Sequence, residues 1–335
     1  MAKPVRMADI AEKLGVSVVT VSKALNGKEG VGTSLRNEII RTAAEMGYVI
    51  NSAVSEQHTS LVIGIINSYL YLERGSSFYW SLYERLLEHI SNTNSLGVLE
   101  VISENDQKNL TVPKLVSNKK INGLIVMGPF PTDYINNLLS LNIPLVFLDM
   151  YSADYAVDTV ISDGYYGMYM MTDHLIKHGH RKIGFVGTVG ETSSITDRFY
   201  GYCKAMTEAD IKVTDDMVIA DRNDVGKIRL DISADIKDRF TALACNCDYT
   251  AYEMMKQLNS MDIKVPDDIS IVGFDNYILS EVTQVPITTY EVDLDRMAKK
   301  SVKQIINRIN NPLRKRDMQI INGNIIERDS VKTLE

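Results

Sequence analysis

The side chains best suited to bind a small polar molecule lie next to short apolar runs. Asp149 comes directly after the apolar run Leu145–Leu148, and Asp275 comes directly after the run 270–274. Ligands of α/β folds bind at the carboxyl ends of such strands, so both carboxylates are candidate acceptors. Arg198 falls near the start of a predicted helix, where a positive charge is locally unfavourable, which favours a role on a ligand hydroxyl or carboxylate. These residues predict a site for a polyhydroxy ligand, with carboxylates as acceptors and a guanidinium as donor.

Three consecutive aromatic residues, Phe78, Tyr79 and Trp80, open a predicted helix. Successive helical positions differ by about 100°, so the three rings cannot all face inward. We expect at least one ring in the core and one or two facing a cleft. There an aromatic face could cover the C–H face of a sugar or a planar base.

The histidines do not predict a metal site. His174 and His178 share a helix face, which could suit a metal. Gly179 then ends the helix, and His178 and His180 cluster with cationic side chains at its negative end, which explains them without a metal.

Sequence motifs for catalysis or cofactors do not match either. The glycines of the segment 184–190 have the spacing Gly-x-x-Gly-x-x-Gly, which is not the dinucleotide fingerprint, and no phosphate-loop lysine follows them. The chain has neither a Gly-x-Ser-x-Gly elbow nor a His-Glu-x-x-His pair. We therefore expect no cofactor and no enzymatic activity.

A second distinctive stretch, residues 8–27, predicts two short helices joined at Gly15, with Ser17 as a helix N-cap. Apolar residues at helical spacing face inward: Ile10, Ala11, Leu14, Val21, Ala24 and Leu25. The second helix then exposes valines, small hydroxyl residues and a lysine, which suits a helix laid in the DNA major groove. The candidate DNA-binding residues are Ser17, Val18, Val19, Thr20, Ser22, Lys23 and Asn26.

Composition limits the classes of protein. The chain has 335 residues and a net charge of −7, whereas residues 1–60 carry seven Lys/Arg against six Asp/Glu. A neutral head on an acidic body argues against a general nucleic-acid coat, although a local basic patch suffices for specific binding. The three cysteines suit buried thiols in a reducing compartment. No signal peptide and no apolar stretch of membrane-spanning length is present, so we expect a cytoplasmic protein without a membrane partner.

The order of elements predicts a helical head followed by an α/β body. Residues 1–50 are helical in pattern, with a third amphipathic helix over 35–46, and residues 51–60 form a polar linker. From residue 61, apolar runs alternate with amphipathic helices. This alternation predicts buried parallel sheets with helices on both faces. About 270 residues exceed one such sheet, which favours two sheets with a cleft between them.

The motifs closely resemble the lactose-repressor (LacI/GalR) family of bacterial transcription regulators. In the head the resemblance rests on 8–27 together with Gly47, Tyr48 and Asn51. In the body it rests on the segments 161–167, 174–187, 198–202, 265–275 and 286–290, in that order. It implies a repressor with a helix-turn-helix headpiece and a periplasmic-binding-protein-like core of two doubly wound parallel sheets. The implied partners are double-stranded operator DNA, a small-molecule effector and a second copy of the chain.

The expected organisation has three parts. Residues 1–50 form the DNA-binding headpiece, 51–60 the hinge, and 61–335 the effector-binding and dimerisation core. Within the core we expect an N-terminal lobe of about 61–160 and 290–318, and a C-terminal lobe of about 161–289 and 319–331.

The resemblance also implies which residues contact the effector. These are Tyr79, Trp80, Asp149, Asp163, Ser194, Arg198, Asn246, Asp248 and Asp275. The usual Asn-Asp pair of the family is interrupted here by Cys247, which leaves open which of residues 246–248 faces the ligand. The acidic and aromatic candidates favour a neutral sugar over a sugar phosphate.

The hinge departs most from the family pattern. No Lys or Arg occurs between Thr42 and Glu73, and the position of the usual leucine wedge holds Ser55 or Gln57. With Val54, these are the candidate hinge residues. We expect a weaker minor-groove wedge and a smaller DNA bend than is typical of the family.

Two other classes compete with a regulator. A solute-binding protein without a DNA role would share the core, but the second helix and the absence of a signal peptide disfavour it. An α/β enzyme would need a nucleophile, metal set or phosphate loop that the motifs do not supply.

Overall fold

The computed structural model describes residues 5–25, 30–46, 60–72, 77–223, 226–277 and 279–335. The chain divides into two compact units, Met1–Thr59 and Ser60–Glu335. In the described part of the chain, no helix is long and apolar enough to span a membrane.

The first unit contains three helices, α1 (Met7–Leu14), α2 (Val18–Leu25) and α3 (Thr33–Glu45). Ile10, Val21 and Ile39, one from each helix, are fully buried against one another. Helix α1 ends at Gly15, whose φ of 64° lies in the left-handed region that glycine adopts at low cost. The predicted turn between α1 and α2 is therefore present.

The second unit contains twelve strands and eleven helices among its described residues. In chain order they are β1 (Val62–Ser68), α4 (Tyr69–Leu72), α5 (Ser77–Ser91), β2 (Leu96–Ile102), α6 (Glu104–Lys108), α7 (Lys114–Ser117), β3 (Gly123–Met127), α8 (Thr132–Ser140), β4 (Leu145–Leu148), β5 (Asp158–Ser162), α9 (Gly164–Lys177), β6 (Ile183–Val186), α10 (Ser193–Glu208), β7 (Val218–Ile219), α11 (Ile236–Arg239), β8 (Ala242–Cys245), α12 (Asp248–Ser260), β9 (Ser270–Asp275), α13 (Leu279–Val282), β10 (Thr288–Glu291), α14 (Leu294–Asn310), β11 (Met318–Ile321) and β12 (Asn324–Ile326). A single turn of 3₁₀ helix, Asp215–Met217, precedes β7.

The strands form two six-stranded sheets, as the alternation of elements predicts. The first has the order β11-β5-β4-β3-β1-β2 and is parallel throughout, and the second has the order β12-β10-β9-β8-β6-β7. We call the first sheet with its helices lobe 1 and the second lobe 2. The α/β fold with two parallel-dominant sheets is thus confirmed.

One strand departs from the expected parallel arrangement, because β12 pairs antiparallel with β10. The chain passes directly from the carboxyl end of β11 into β12, so it enters the second sheet at that sheet's carboxyl edge and must run backwards. Gly323 lies in this passage, where an added Cβ would overlap the carbonyl oxygen of Glu291. Only glycine allows the two backbones to approach this closely.

The chain crosses between the lobes three times, around residues 163, 292 and 322. The expected lobe boundaries, at about 160, 290 and 318, lie a few residues before these crossings. The ladders extend past the apolar runs, since Ser162 and Glu291 still pair with neighbouring strands. Backbone hydrogen bonding, which the apolar pattern does not report, sets these strand ends.

The contact between α9 and α10 in lobe 2 depends on Gly201. A Cβ at this position would overlap the carbonyl oxygen of Tyr165 and lie 2.9 Å from the amide nitrogen of Tyr169. We expect Gly201→Ala to lower the free energy of unfolding by about 1–3 kcal/mol or more, because the two backbones must separate. Urea unfolding measures the loss. Gly164→Ala is the control, since its nearest neighbours lie at 3.4 Å, and an equal effect of both variants would contradict this account.

Candidate functional site

A cavity of about 120 Å³ lies between the two lobes at the carboxyl ends of their strands. A water molecule takes up roughly 10–15 Å³ of such a volume, so the cavity has room for roughly ten water-sized groups. This is about the number of non-hydrogen atoms in a monosaccharide. Lobe 1 contributes Leu70, Tyr71, Phe78, Tyr79, Pro129 and Asp149. Lobe 2 contributes Thr192, Ser194, Ile195, Arg198, Arg222, Gly226, Ile228, Asn246, Cys247, Tyr249, Asp275 and Tyr277.

Arg198 is held rigidly on the lobe 2 side of the cavity. Its Nη1 donates to the carbonyl oxygen of Asn246 at 2.6 Å, and its Nη2 donates to Asp275 Oδ1 at 3.1 Å. The guanidinium carbon lies 3.9 Å from the ring centroid of Phe274, a cation–π contact. Because the ion pair is almost fully buried, the guanidinium enters any ligand complex with little further loss of freedom.

Asp149 faces this arrangement from lobe 1, at the end of β4. Its Oδ2 accepts a 2.8 Å hydrogen bond from the Tyr79 hydroxyl, and the Tyr71 ring lies 5.7 Å from the Tyr79 ring. Burial raises the pKa of Asp149, although Arg198 and the Tyr79 hydroxyl act in the opposite direction. A ligand in the cavity would therefore meet a carboxylate on one lobe and a guanidinium on the other.

Several buried polar atoms around the cavity lack hydrogen-bond partners among the described residues. They are Arg198 Nε, Arg222 Nε, Asn246 Oδ1 and the Tyr277 hydroxyl. A buried polar group left unpaired costs about 1–3 kcal/mol. Three donors and one acceptor around the cavity are thus left without a hydrogen-bond partner among the described residues.

Burial raises the pKa of Asp275 to about 7, with Arg198 lowering it and Asp149 raising it. Because the pKa is raised above the unfolded value, the stability that the protonated form contributes is lost as the pH rises towards 7. We expect the unfolding free energy to fall less between about pH 5 and about pH 8 in Asp275→Asn than in the wild type. Urea titrations at several pH values measure this. An identical pH profile for the variant would refute it, and Asp231→Asn, at an exposed position, is the control.

Six of the nine predicted effector residues line the cavity: Tyr79, Asp149, Ser194, Arg198, Asn246 and Asp275. Of the aromatic triplet, Phe78 and Tyr79 both reach it. Of the three residues 246–248, any of which could face a ligand by the sequence, Asn246 and Cys247 line the cavity whereas Asp248 does not.

Three of the predicted effector residues do not line the cavity, namely Trp80, Asp163 and Asp248. Trp80 is turned by about 100° from Tyr79 on α5, is 41% exposed and contacts Tyr83. Asp163 caps α9 by accepting from the amide of Tyr166, at one of the crossings between the lobes.

Asp248 is fully buried behind the cavity rather than facing it. Its Oδ1 accepts from the Thr289 hydroxyl at 2.6 Å and its Oδ2 accepts from the Tyr277 amide at 3.3 Å. Burial raises the pKa of Asp248 well above its usual range. These bonds tie the start of α12 to β10, which is a structural role.

Sequence reasoning missed Arg222, Tyr71 and Tyr277 as lining residues. Arg222 lies three residues beyond β7, near the carboxyl end of a parallel strand, which is the kind of position that Asp149 and Asp275 occupy. Strand β7 spans only two residues, which is too short for an apolar pattern to be visible.

The exposed face of α2 in the first unit carries the predicted DNA-reading side chains. Val18 is 47% exposed and Val19 is 64% exposed, and Lys23 is also exposed. Ser17 Oγ accepts from the amide of Thr20 at 3.0 Å, which is the predicted N-cap interaction. Ser22 and Thr20 are half-buried. The predictions for Asn26, for the hinge residues Val54, Ser55 and Gln57, and for the markers Gly47, Tyr48 and Asn51 lie outside the described residues.

Each of the two units contains a segment that matches a known protein family. Residues 6–51 match the family described as bacterial regulatory proteins, lacI family, and residues 172–331 match a periplasmic binding protein-like domain. The HTH-type transcriptional repressor PurR of Vibrio atlanticus (strain LGP32) is 26% identical over 333 residues, covering 97% of this chain and 98% of that protein.

Two solved structures share the fold over nearly the whole chain. A complex of the transcriptional regulator CelR with cellobiose has a TM-score of 0.70 at 19% identity, covering 97% of this chain and 99% of that one. The lac repressor dimer bound to operator and the anti-inducer ONPF has a TM-score of 0.64 at 24% identity, covering 98% and 100%.

Proposed function

Because the chain belongs to the LacI/GalR family of bacterial transcription regulators, we propose that it is a repressor whose operator affinity is set by a sugar bound between its lobes. The observation that carries the proposal is the cavity in which Arg198 and Asp275 of lobe 2 face Asp149 and Tyr79 of lobe 1. The exposed side chains of α2 would contact the bases of the operator in the major groove.

The chemistry of the cavity supports a sugar as the effector. Sugars present hydroxyls that both donate and accept, and carboxylates beside a guanidinium offer both partners. Aromatic rings such as Tyr71 and Tyr79 can cover the apolar face of a pyranose or furanose. The related regulator CelR is described in complex with cellobiose, whereas the size of this cavity favours a monosaccharide.

A ligand bonded to both lobes would stabilise one arrangement of the lobes over another. The effect on DNA equals the difference in ligand affinity between the two arrangements. We infer that this arrangement is passed to the DNA-binding units of a dimer and changes their fit to paired half-sites.

We place the dimer contact at the edge of lobe 1 formed by α5 and the edge strand β2. Trp80, Leu96, Val98 and Val101 are exposed apolar side chains of these two elements. Such a patch is typical of a protein–protein interface, and the related lac repressor is described as a dimer. This contact gives Trp80 a role outside the cavity.

Trp80→Asp is expected to weaken dimerisation by about thirtyfold or more, because a buried aromatic anchor contributes about 2 kcal/mol or more to an interface. Sedimentation velocity over a range of protein concentrations measures the change. Tyr200→Asp is the matched control, since Tyr200 is 56% exposed on α10 of lobe 2. A Trp80→Asp protein that dimerises like the wild type would place the interface elsewhere.

We assign the protein no catalytic role and place it in the cytoplasm with the DNA it reads. Its relative PurR is a transcriptional repressor. Burial raises the pKa of the Cys247 thiol in the cavity to about 11, so at neutral pH this group is protonated and weakly nucleophilic.

The effector proposal is tested by mass spectrometry of small molecules released from the purified full chain. The expected result is a sugar that is present with the wild type and depleted with Arg198→Ala. A released molecule without sugar hydroxyls, equally present in both proteins, would overturn the proposal.

A further inference from the structure

Arg222 is the second guanidinium that lines the cavity. Its side chain is 11% exposed and lies beside Asp221, with 3.4 Å between Nε and Asp221 Oδ1. Nε nevertheless has no hydrogen-bond partner among the described residues. Arg198, by contrast, already donates from both Nη atoms.

The Asp221 carboxylate accepts hydrogen bonds from groups other than Arg222. The fully buried carboxylate accepts from the Thr188 amide at 2.9 Å, from Asn246 Nδ2 at 2.7 Å and from the Thr250 hydroxyl at 2.8 Å. Three donors therefore hold Asp221 in place. The ion pair with Asp221 offsets the charge of Arg222, and the largely desolvated guanidinium, which lines the cavity, can still donate to a second acceptor.

Two long helices also begin at this cavity. Thr192, the N-cap residue of the 16-residue helix α10, and Cys247, the N-cap residue of the 13-residue helix α12, both line it. Helix N-termini favour negative charge. The two carboxyls of the cavity are otherwise engaged, Asp275 by Arg198 and Asp149 by Tyr79.

We propose that Arg222 determines specificity by binding an acidic group of the effector, so that the sugar of the proposed function is a sugar acid or a sugar phosphate. A guanidinium presents forked donors that match a carboxylate or a phosphate in two parallel hydrogen bonds. This inference rests on the proposed function and refines it. It replaces the neutral sugar that the sequence favoured, because that expectation did not include Arg222.

The test is calorimetry of the full chain at low salt against matched series of probes. Each series contains the neutral sugar, its aldonate, its uronate where one exists and its terminal phosphate, for glucose, galactose and ribose. Inorganic phosphate is titrated separately. An acidic member of one series is expected to bind about ten- to a hundredfold tighter than its neutral counterpart, as for a hydrogen bond to a charged group. Whether the carboxylates or the phosphate bind identifies the acidic group.

Three variants test whether Arg222 causes the preference for the acidic probe. Arg222→Gln should remove the preference for the acidic member, and Arg222→Lys should keep part of it. Arg229→Gln, at an exposed position of the same loop, should change nothing. Circular dichroism and urea unfolding establish that each variant is folded.

The inference on Arg222 and the proposed function can fail separately. If a neutral sugar binds as tightly as its acids, or if Arg222→Gln keeps the preference, the inference is overturned. The proposed function survives that result provided that Arg198→Ala still loses the sugar. If no member of any series binds, the inference is overturned and the case for a sugar effector is lost with it.

Discussion

At an effector concentration that half-saturates the wild type, replacement of Arg198 by alanine is expected to remove nearly all of the effect of the effector on operator binding, while leaving operator binding itself nearly intact. Arg198 joins the Asn246 carbonyl and the Asp275 carboxylate in the wall of the cavity. Its removal takes away the charged donor that we propose for the ligand and frees Asp275 to move. The loss of a hydrogen bond to a charged group costs about 1.5–3 kcal/mol, or about ten- to 150-fold in effector affinity.

The fold is expected to survive this change, because Asp275 can take up a proton when its partner is lost. Burial already raises the pKa of Asp275 to about 7, so the neutral form is accessible near neutral pH. Asp275→Asn is the complementary variant, because it removes the carboxylate acceptor and retains the shape of the side chain. Both proteins should bind operator like the wild type in the absence of effector.

Fluorescence anisotropy with labelled operator DNA measures both properties in one titration. Lys204→Ala on the same helix α10 is the control, since Lys204 lies on the surface and pairs with Glu208. If Arg198→Ala and Asp275→Asn both respond to the wild-type effector at unchanged concentration, the effector binds elsewhere.

The second large effect is expected at the outer face of α2. Val18→Ala should reduce discrimination at a thymine of the operator, because a valine methyl group can contact the thymine methyl group in the major groove. We expect a loss of about 1–3 kcal/mol for each base contact removed. Val19 is the more exposed of the two valines, at 64%, and Val19→Ala should act at a different base pair.

Affinity for random DNA should hardly change in either variant, because phosphate contacts dominate it. Competition titrations with operator and random duplexes measure the sequence-specific affinity and the non-specific affinity separately. Val189→Ala is the control, since it truncates an exposed valine of the second unit. Equal losses on operator and on random DNA would show that α2 does not read bases.

The sequence predicted those parts of the fold that carry an apolar pattern. The run Leu145–Leu148 became β4, because every residue of this strand is buried. Strand β10 shows no such apolar run, because two of its buried residues are threonines. The hydroxyl of Thr288 donates to the Arg328 carbonyl, and that of Thr289 donates to Asp248. These long-range hydrogen bonds make threonine acceptable in the core, and they are not visible in the local pattern.

The site was predictable to the extent that strand ends are predictable. Asp149 and Asp275 were found because each follows an apolar run, and both line the cavity. Trp80 shows the limit of this reasoning. A triplet of aromatic residues requires that one ring face away from the other two, but only the packing of α5 on its sheet decides which one.

Control of operator binding by a sugar is tested most directly by selecting operator DNA from a random duplex pool with the full chain, then titrating the recovered complex with the sugar released from the purified protein. We predict that the pool yields paired half-sites related by twofold symmetry, and that the sugar changes the operator affinity of the wild type but not that of Arg198→Ala. A pool without an enriched sequence, or an operator affinity that the sugar leaves unchanged in the wild type, would contradict the account.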